Sequence, residues 1–385
     1  MRHNIRYCPN GLYSNSLLYS AMNKTLFYTI ASFAILLTGC GGNKINHNTS
    51  KLEQISLEST EFISDSLLGK PKNLVVADSA VIVVNSDALN DSLVSIFNLS
   101  GELVKSCMYR GQGSLDVLDI SNVQYSGLDN SLYVMDIPFA NCKIFRISNY
   151  LNPGTEVEKV MSTASNDSVM PSGGAVRLSN GQIVAGNANP AGLVALIGND
   201  GTSTRLFGHV PEKILIDSRL SDFGNSTIYH PFVAVSPNGN FAAFYYDVSD
   251  MHLIIKVVDN KTVMNFTDGE PATGIALTEV APGVCVGAVT GETFCNTQGI
   301  SLSNRYIYQL YIGLLTEDLE KTDFFRDAKH YGANTVKVLD CDGNHIKTIT
   351  LDRWATALAV SPDDKYLYTL TQSSEDGYAV LRYEL

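Results

Sequence analysis

The 385 residues include one tryptophan and seven cysteines, and only 17% of them are charged. No two cysteines stand in C-x-x-C spacing, which removes the usual zinc ribbon and the thioredoxin-like redox motif. Past Cys40 there remain Cys107, Cys142, Cys285, Cys295 and Cys341, an odd number with no disulfide framework. Cys285 and Cys295 flank a short hairpin and are placed to pair, but core or free thiols fit the pattern better. Basic residues are scarce, with 27 Lys plus Arg against 39 Asp plus Glu. That balance argues against nucleic acid as a partner and against direct adhesion to anionic lipid. No G-x-S-x-G elbow occurs, and no stretch carries a sustained helical period. The sequence therefore offers no catalytic set, no metal-ligand set and no cofactor motif, and the protein is expected not to be an enzyme.

What is present begins with an uncharged apolar run of 12 residues, "LFYTIASFAILL" at 26–37, too short to span a bilayer and preceded by Lys24. It ends in "LTGC", Leu37 to Cys40. An apolar leader core followed by Leu-x-Gly-Cys resembles the lipobox of bacterial lipoproteins, which implies a diacylglycerol on the Cys40 thiol and removal of residues 1–39. The compact leader starting at Met22 makes Met22 the expected true start. Residues 40–385 then carry 24 Lys plus Arg against 39 Asp plus Glu, a formal charge of −15. Residues 40–52, small and polar, are expected to be the lipidated cysteine and a flexible tether.

The remainder, 53–385, is a degenerate repeat. "AVSPNGNFAAFYY" from Ala234 returns as "AVSPDDKYLYTL" from Ala359, and four further copies start at Leu74, Val123, Ala175 and Ile300. Each is a short apolar strand, a polar turn and a second strand, and most are followed by another strand pair. The turns at Ser79, Gly127, Asn180, Asn238, Asn304 and Asp363 lie 48, 53, 58, 66 and 59 residues apart. Six units of four antiparallel strands predict an all-β, six-bladed propeller. The last unit has three strands, so "EQISLES", Glu53 to Ser59, is expected to supply its fourth and close the ring.

The leader, the "SPDDKYLYTL" and "SNRYIYQLYIG" phrases, the "VKVLDCDGNHIKTITLD" hairpin and "RGQG" together resemble the TolB-like six-bladed β-propeller lipoproteins common in Bacteroidetes. The resemblance covers most of 52–385. It implies the propeller fold and a place in the envelope, and brings no catalytic residues. "GGNK" after Cys40 lacks the acidic run of a surface-export signal, so the periplasmic leaflet of the outer membrane is the expected address. Asp-Ser pairs at Ser66, Ser79, Ser92 and Ser168 match a short O-glycan acceptor pattern of that group.

Two motifs invite a chemical reading. "DCDGN", Asp340 to Asn344, has carboxylates two apart beside a glycine, but between alternating strands it fits a tight hairpin turn better than a calcium loop. "RGQG", Arg110 to Gly113, has the glycines of an anion-binding nest, yet fits a connection whose glycines adopt positive φ. A metal-dependent hydrolase or lactonase using the propeller channel is the alternative function, and the inner strands offer it few carboxylates.

In an antiparallel blade the first turn opens on one face, while the second-to-third loop and the link to the next blade open on the other. The long, varied segments all fall on that second face, including the insertion Thr316 to Asn334. Binding groups collect on varied loops of a rigid scaffold. Arg110, Tyr229, His230 and His330 are therefore expected to rim one funnel with Tyr331, Arg353 and Trp354. Cations beside flat aromatic rings suit a glycan, an acidic peptide or an envelope protein.

Overall fold

The computed structural model describes residues 52–385 apart from 90, 91, 119, 137–141, 164–170, 188–191, 202, 203, 208–227, 230, 282, 283, 375 and 376. Cys40, the leader, the tether and Ser168 lie outside the described residues.

The fold is the six-bladed all-β propeller that the repeats predict. Strands are lettered a to d from the axis outward. Blade one comprises Lys70–Ala77, Ala80–Leu89, Ser92–Asn98 and Leu103–Tyr109, and blade two Ile120–Ser126, Ser131–Asp136, Cys142–Ser148 and Val157–Thr163. Blade three comprises Pro171–Arg177, Ile183–Asn187, Val194–Ile197 and Thr204–Phe207, and blade four Pro231–Val235, Phe241–Tyr246, His252–Val258 and Lys261–Thr267. Blade five comprises Phe294–Leu302, Tyr306–Leu315, Ala333–Asp340 and His345–Ala355, and blade six Ala357–Val360, Tyr366–Gln372 and Tyr378–Glu384. Each a strand touches the a strands of both neighbours, that of blade six touching blade one, so the inner strands form a closed circle.

Burial follows radial position. The b strand of blade four, "FAAFYY", is buried on both faces because a blade packs on each side of it. The d strand "KTVMNFT" alternates exposed and half-buried, as a strand does with one face in water. Six hydrophobic clusters fill the six seams between adjacent blades. The described hydrophobic clusters all lie between blades, so blade-to-blade contact carries the packing of the ring.

The repeated serine has a structural reason. In blade six the Ser361 hydroxyl donates to Asp363 Oδ1 at 2.7 Å and accepts from the backbone N–H of Lys365 and Tyr366. Ser236 makes the same bonds to Asn238 and Phe241, and Ser303 accepts from Arg305 and Tyr306. In the turns of blades four and six the hydroxyl stands two residues ahead of an Asx side chain, and in all three it satisfies the turn's own amides. "DCDGN" is likewise a hairpin turn: the Asp340 carboxylate accepts from the N–H of Asp342 and of Asn344, with Gly343 at φ 87°.

Ring closure differs from expectation in one respect. Glu53–Leu57 does not enter blade six; it lies parallel to the d strand of blade five, from Glu53 opposite Lys347 to Leu57 opposite Leu351. Thr60–Ile63 is the fourth strand of blade six, antiparallel to Tyr378–Glu384. Ile63 decides the assignment, because it alone of the two segments is fully buried, in the seam between blades six and one. A second departure is the hairpin Ile275–Ala281 with Val284–Val289, a separate two-stranded sheet between blades four and five. It accounts for the longest turn spacing. Cys285 and Cys295 are both free thiols, and Cys295 Sγ sits 3.3 Å from Thr316 Oγ1.

Candidate functional site

The a–b and c–d turns form one face of the ring, and the b–c loops and interblade links the other. On the turn face, Gly127 N–H donates to Pro237 O at 2.8 Å, Ser179 N–H to Gly239 O at 2.9 Å, and Asn238 N–H to Asn304 Oδ1 at 2.9 Å. The first of these joins blades two and four, which are not neighbours, so the turns meet across the axis. Beneath them lies an axial cavity of about 70 Å³ lined by Asn73, Asn122, Gln124, Tyr125 and Ser301 among aliphatic side chains. Asn122 Nδ2 donates to Ala175 O at 3.1 Å, and Gln124 exchanges two bonds of 2.8 Å with the Arg177 backbone. These amides tie blade two to blade three, and the cavity has room for a few waters. Among the described residues no three His, Cys, Asp or Glu side chains converge as a metal site requires.

The loop face carries the insertion in blade five, two short helices, α1 (Thr316–Glu320) and α2 (Asp323–Ala328). Thr322 caps α2 by accepting from Phe325 N–H at 3.2 Å, and Lys329 ends it in the left-handed conformation. The capped turn delivers two adjacent phenylalanines to two ring partners. Phe324 stacks on Trp354 with centroids 5.6 Å apart, and Phe325 on Tyr331 at 5.3 Å. Tyr331 also donates its hydroxyl to Glu320 Oε1 at 3.0 Å. Burial, and then that bond, push its phenol up to about 12, so it is a hydrogen-bonding group at any physiological pH. Gly332 lets the insertion approach the sheet: a Cβ there would lie 2.8 Å from Ala355 O and 2.6 Å from Phe324 Cε1. His330 and Arg353 are exposed beside this platform.

Four of the seven expected residues, His330, Tyr331, Arg353 and Trp354, thus come together on blade five. Arg110 emerges on the same face but from blade one, exposed, with Nη2 donating to Ser86 O at 2.6 Å. His230 lies outside the described residues. Tyr229 is 1% exposed and does not rim any opening. Its ring packs edge-on against Tyr246 at 6.4 Å, and its hydroxyl accepts from Ala272 N–H at 3.4 Å. The aromatic ring at this link serves the seam core.

The "RGQG" glycines serve a purpose other than positive φ, which neither Gly111 nor Gly113 adopts. The loop wraps the Asp116 carboxylate, which accepts from Gly113 N–H at 2.8 Å; a Cβ on Gly111 would lie 2.2 Å from Asp116 Oδ2. The nest holds its own anion. Of the Asp-Ser pairs, Ser66 is exposed and Ser92 is buried, leaving no room for a glycan on Ser92 in the folded chain.

Another recurrence escapes a reading of short phrases. The b strands of blades two, three and six end in a buried polar residue, Asp136, Asn187 and Gln372, and that of blade one carries buried Asn85 in its second half. Asp136 accepts from Leu118 N–H at 3.2 Å and Asn187 Nδ2 donates to Gly192 O at 2.7 Å.

The family model for TolB-like 6-blade propeller-like proteins matches residues 50–363. The chain belongs to that family. No curated protein matches it. Among solved structures this TolB-like chain is similar to U3-55K, at 11% identity over 82% of this chain and 96% of that one, TM-score 0.44. It is also similar to hydrazine synthase of Kuenenia stuttgartiensis, at 11% identity over 82% and 96%, TM-score 0.42. A third is a Bacteroides fragilis protein described as exported, at 10% identity over 86% and 98%, TM-score 0.44. These likenesses concern the ring fold alone.

Proposed function

We propose that this TolB-like propeller is a non-catalytic binding module of the bacterial envelope, held by a lipid on Cys40 at the periplasmic leaflet of the outer membrane. Its partner is a glycan, a peptide or an envelope protein, met on the loop face of blade five. The platform of Trp354 and Tyr331, each backed by a phenylalanine and flanked by exposed Arg353 and His330, carries this reading. Rings held rigid by a stacked neighbour lose little freedom when a ligand covers them, which is what a recognition surface needs. The axial cavity, small and lined by committed amides and aliphatic groups, supports recognition over turnover.

The test has two arms. Cys40→Ala should move the protein from the membrane to the soluble fraction or leave it uncleaved; unchanged partition with lipid would overturn the anchor. Protease added to intact cells should spare the protein; digestion would place it on the outer surface. Independently, Trp354→Ala together with Tyr331→Ala should abolish capture of whichever envelope component co-purifies with the parent, while the urea midpoint stays close to the parent's.

A further inference from the structure

A hollow larger than the axial cavity lies away from the platform. On the turn face, blades three and four leave a space of about 590 Å³. The a–b turn of blade three lines it with Asn180 and Gln182, the c–d turn and d strand of that blade with Asn199 and Arg205, and the start of the d strand of blade four with Lys261 and Thr262. We infer that this seam is a second binding site, for an acidic saccharide.

The wall is already organised. Gln182 Oε1 accepts from Thr262 Oγ1 at 2.6 Å, across 80 residues of sequence, and from the nearby Asn180 Nδ2 at 2.9 Å. Both acceptor positions of that carboxamide are thereby used, which fixes its plane and leaves the Nε2 donors for another partner. Asn199 Nδ2 is committed to Asn180 O at 3.1 Å, which leaves its Oδ1 as an acceptor. Arg205 lies over the Phe207 ring at 4.9 Å. Stacking holds the guanidinium plane without using its N–H groups, so a fork able to grip a carboxylate in two bonds stands ready. Lys261 adds an exposed ammonium. Among the described residues neither cation is ion-paired with a carboxylate.

Donors outnumber acceptors in this wall, and two of the donors are cationic, so the ligand must be rich in acceptors and carry negative charge. Its volume falls in the range of small-molecule pockets, about 300–1,000 Å³. A sugar acid meets these terms: its carboxylate matches Arg205, and its hydroxyls, which donate and accept, match Gln182 Nε2 and Asn199 Oδ1. The half-buried Phe207 offers an apolar surface to ring C–H groups. An acidic peptide would satisfy the cations but brings a row of backbone N–H donors that a donor-rich wall does not match. Asp200 and Asp259 stand on the c–d turns of the same two blades and cancel much of the long-range field, so selection occurs at contact and not by steering.

The site is tested on the full chain by calorimetric titration with tri-galacturonate, the neutral trigalactoside and tri-glutamate. Tri-galacturonate should bind at one site per chain, at least about tenfold more tightly than either of the other two. Arg205→Gln should weaken it about tenfold or more and Asn199→Ala severalfold, with circular dichroism unchanged, while Trp354→Ala leaves the affinity alone. Lys261→Gln, a change at an exposed position that the fold does not need, should weaken it and flatten its dependence on salt. Absence of saturation up to about 10 mM, equal binding of tri-glutamate, or full affinity in both cation variants overturns the site. Because Trp354 is outside the seam, failure here and failure of the loop-face platform are read separately.

Discussion

Tyr308 on the b strand of blade five donates its hydroxyl to Asp364 in the turn of blade six, 2.9 Å away. Arg305 Nε reaches the other oxygen of the same carboxylate at 3.0 Å. Tyr125 of blade two makes an equivalent bond to Asp78 of blade one at 2.7 Å. The turn face is therefore latched between blades by phenol–carboxylate bonds set over the seam cores. Tyr308→Phe should cost about 1.5–3 kcal/mol, the range for a bond to a charged group. It should lower the urea midpoint with the m-value unchanged; a midpoint equal to the parent's would show that the latch contributes nothing.

Burial pushes the phenols of Tyr125, Tyr245, Tyr246 and Tyr308 above their ordinary value. Asp78 and Asp364 add to it for Tyr125 and Tyr308. A folded-state pKa raised above the unfolded one gives stability that is complete below about pH 10 and disappears as pH rises through the folded-state values. The urea midpoint should hold steady from neutral pH to about pH 9 and fall steeply by about pH 11. A flat profile across that window would contradict the buried, neutral phenols.

The two N-terminal strands should contribute unequally. Ile63→Ala removes a fully buried side chain from the closing seam and should cost about 2–5 kcal/mol, whereas Ile55→Ala, in a half-buried strand on the rim, should cost clearly less. Deleting residues 52–58 should leave a monomeric ring of somewhat lower stability. Deleting 52–64 should expose the edge of Tyr378–Glu384 and promote association. Light scattering on the two deletions decides which strand is the clasp.

The platform on blade five depends on Gly332, where a Cβ meets the Ala355 carbonyl. Gly332→Ala should push α1 and α2 off the sheet and separate Phe324 from Trp354. The chain has one tryptophan, so the change is read directly as a shift in emission and in quenching by iodide. An unaltered spectrum would mean that the insertion absorbs the methyl group without moving.

The blades were legible because their signals are local. A serine hydroxyl that must satisfy turn amides recurs at Ser236, Ser303 and Ser361, and the apolar runs before and after it are strands buried on both sides. The insertion at Thr316 was legible as an interruption of that rhythm. Pairing was not: Glu53–Leu57 and Thr60–Ile63 are both short strands of mixed polarity, and only the seam that receives Ile63 tells them apart. Tyr229 carries no mark that separates a seam aromatic from a rim aromatic. The hollow between blades three and four was out of reach, because Asn180 and Thr262 meet only after the ring has formed.

Glu53–Leu57, lying parallel on the rim of blade five, also decides how the ring responds to load. Tension drawn along that strand from residue 52 engages five register positions side by side, so its ladder must slide as a unit and cannot be peeled bond by bond. Thr60–Ile63, whose release would open the circle, sits behind it in the chain and feels nothing until the first strand has sheared. Forced opening is a matter of unfolding rate. A chain pulled from its N-terminal end therefore has a sacrificial brake ahead of its clasp, and the ring keeps its shape while the brake holds.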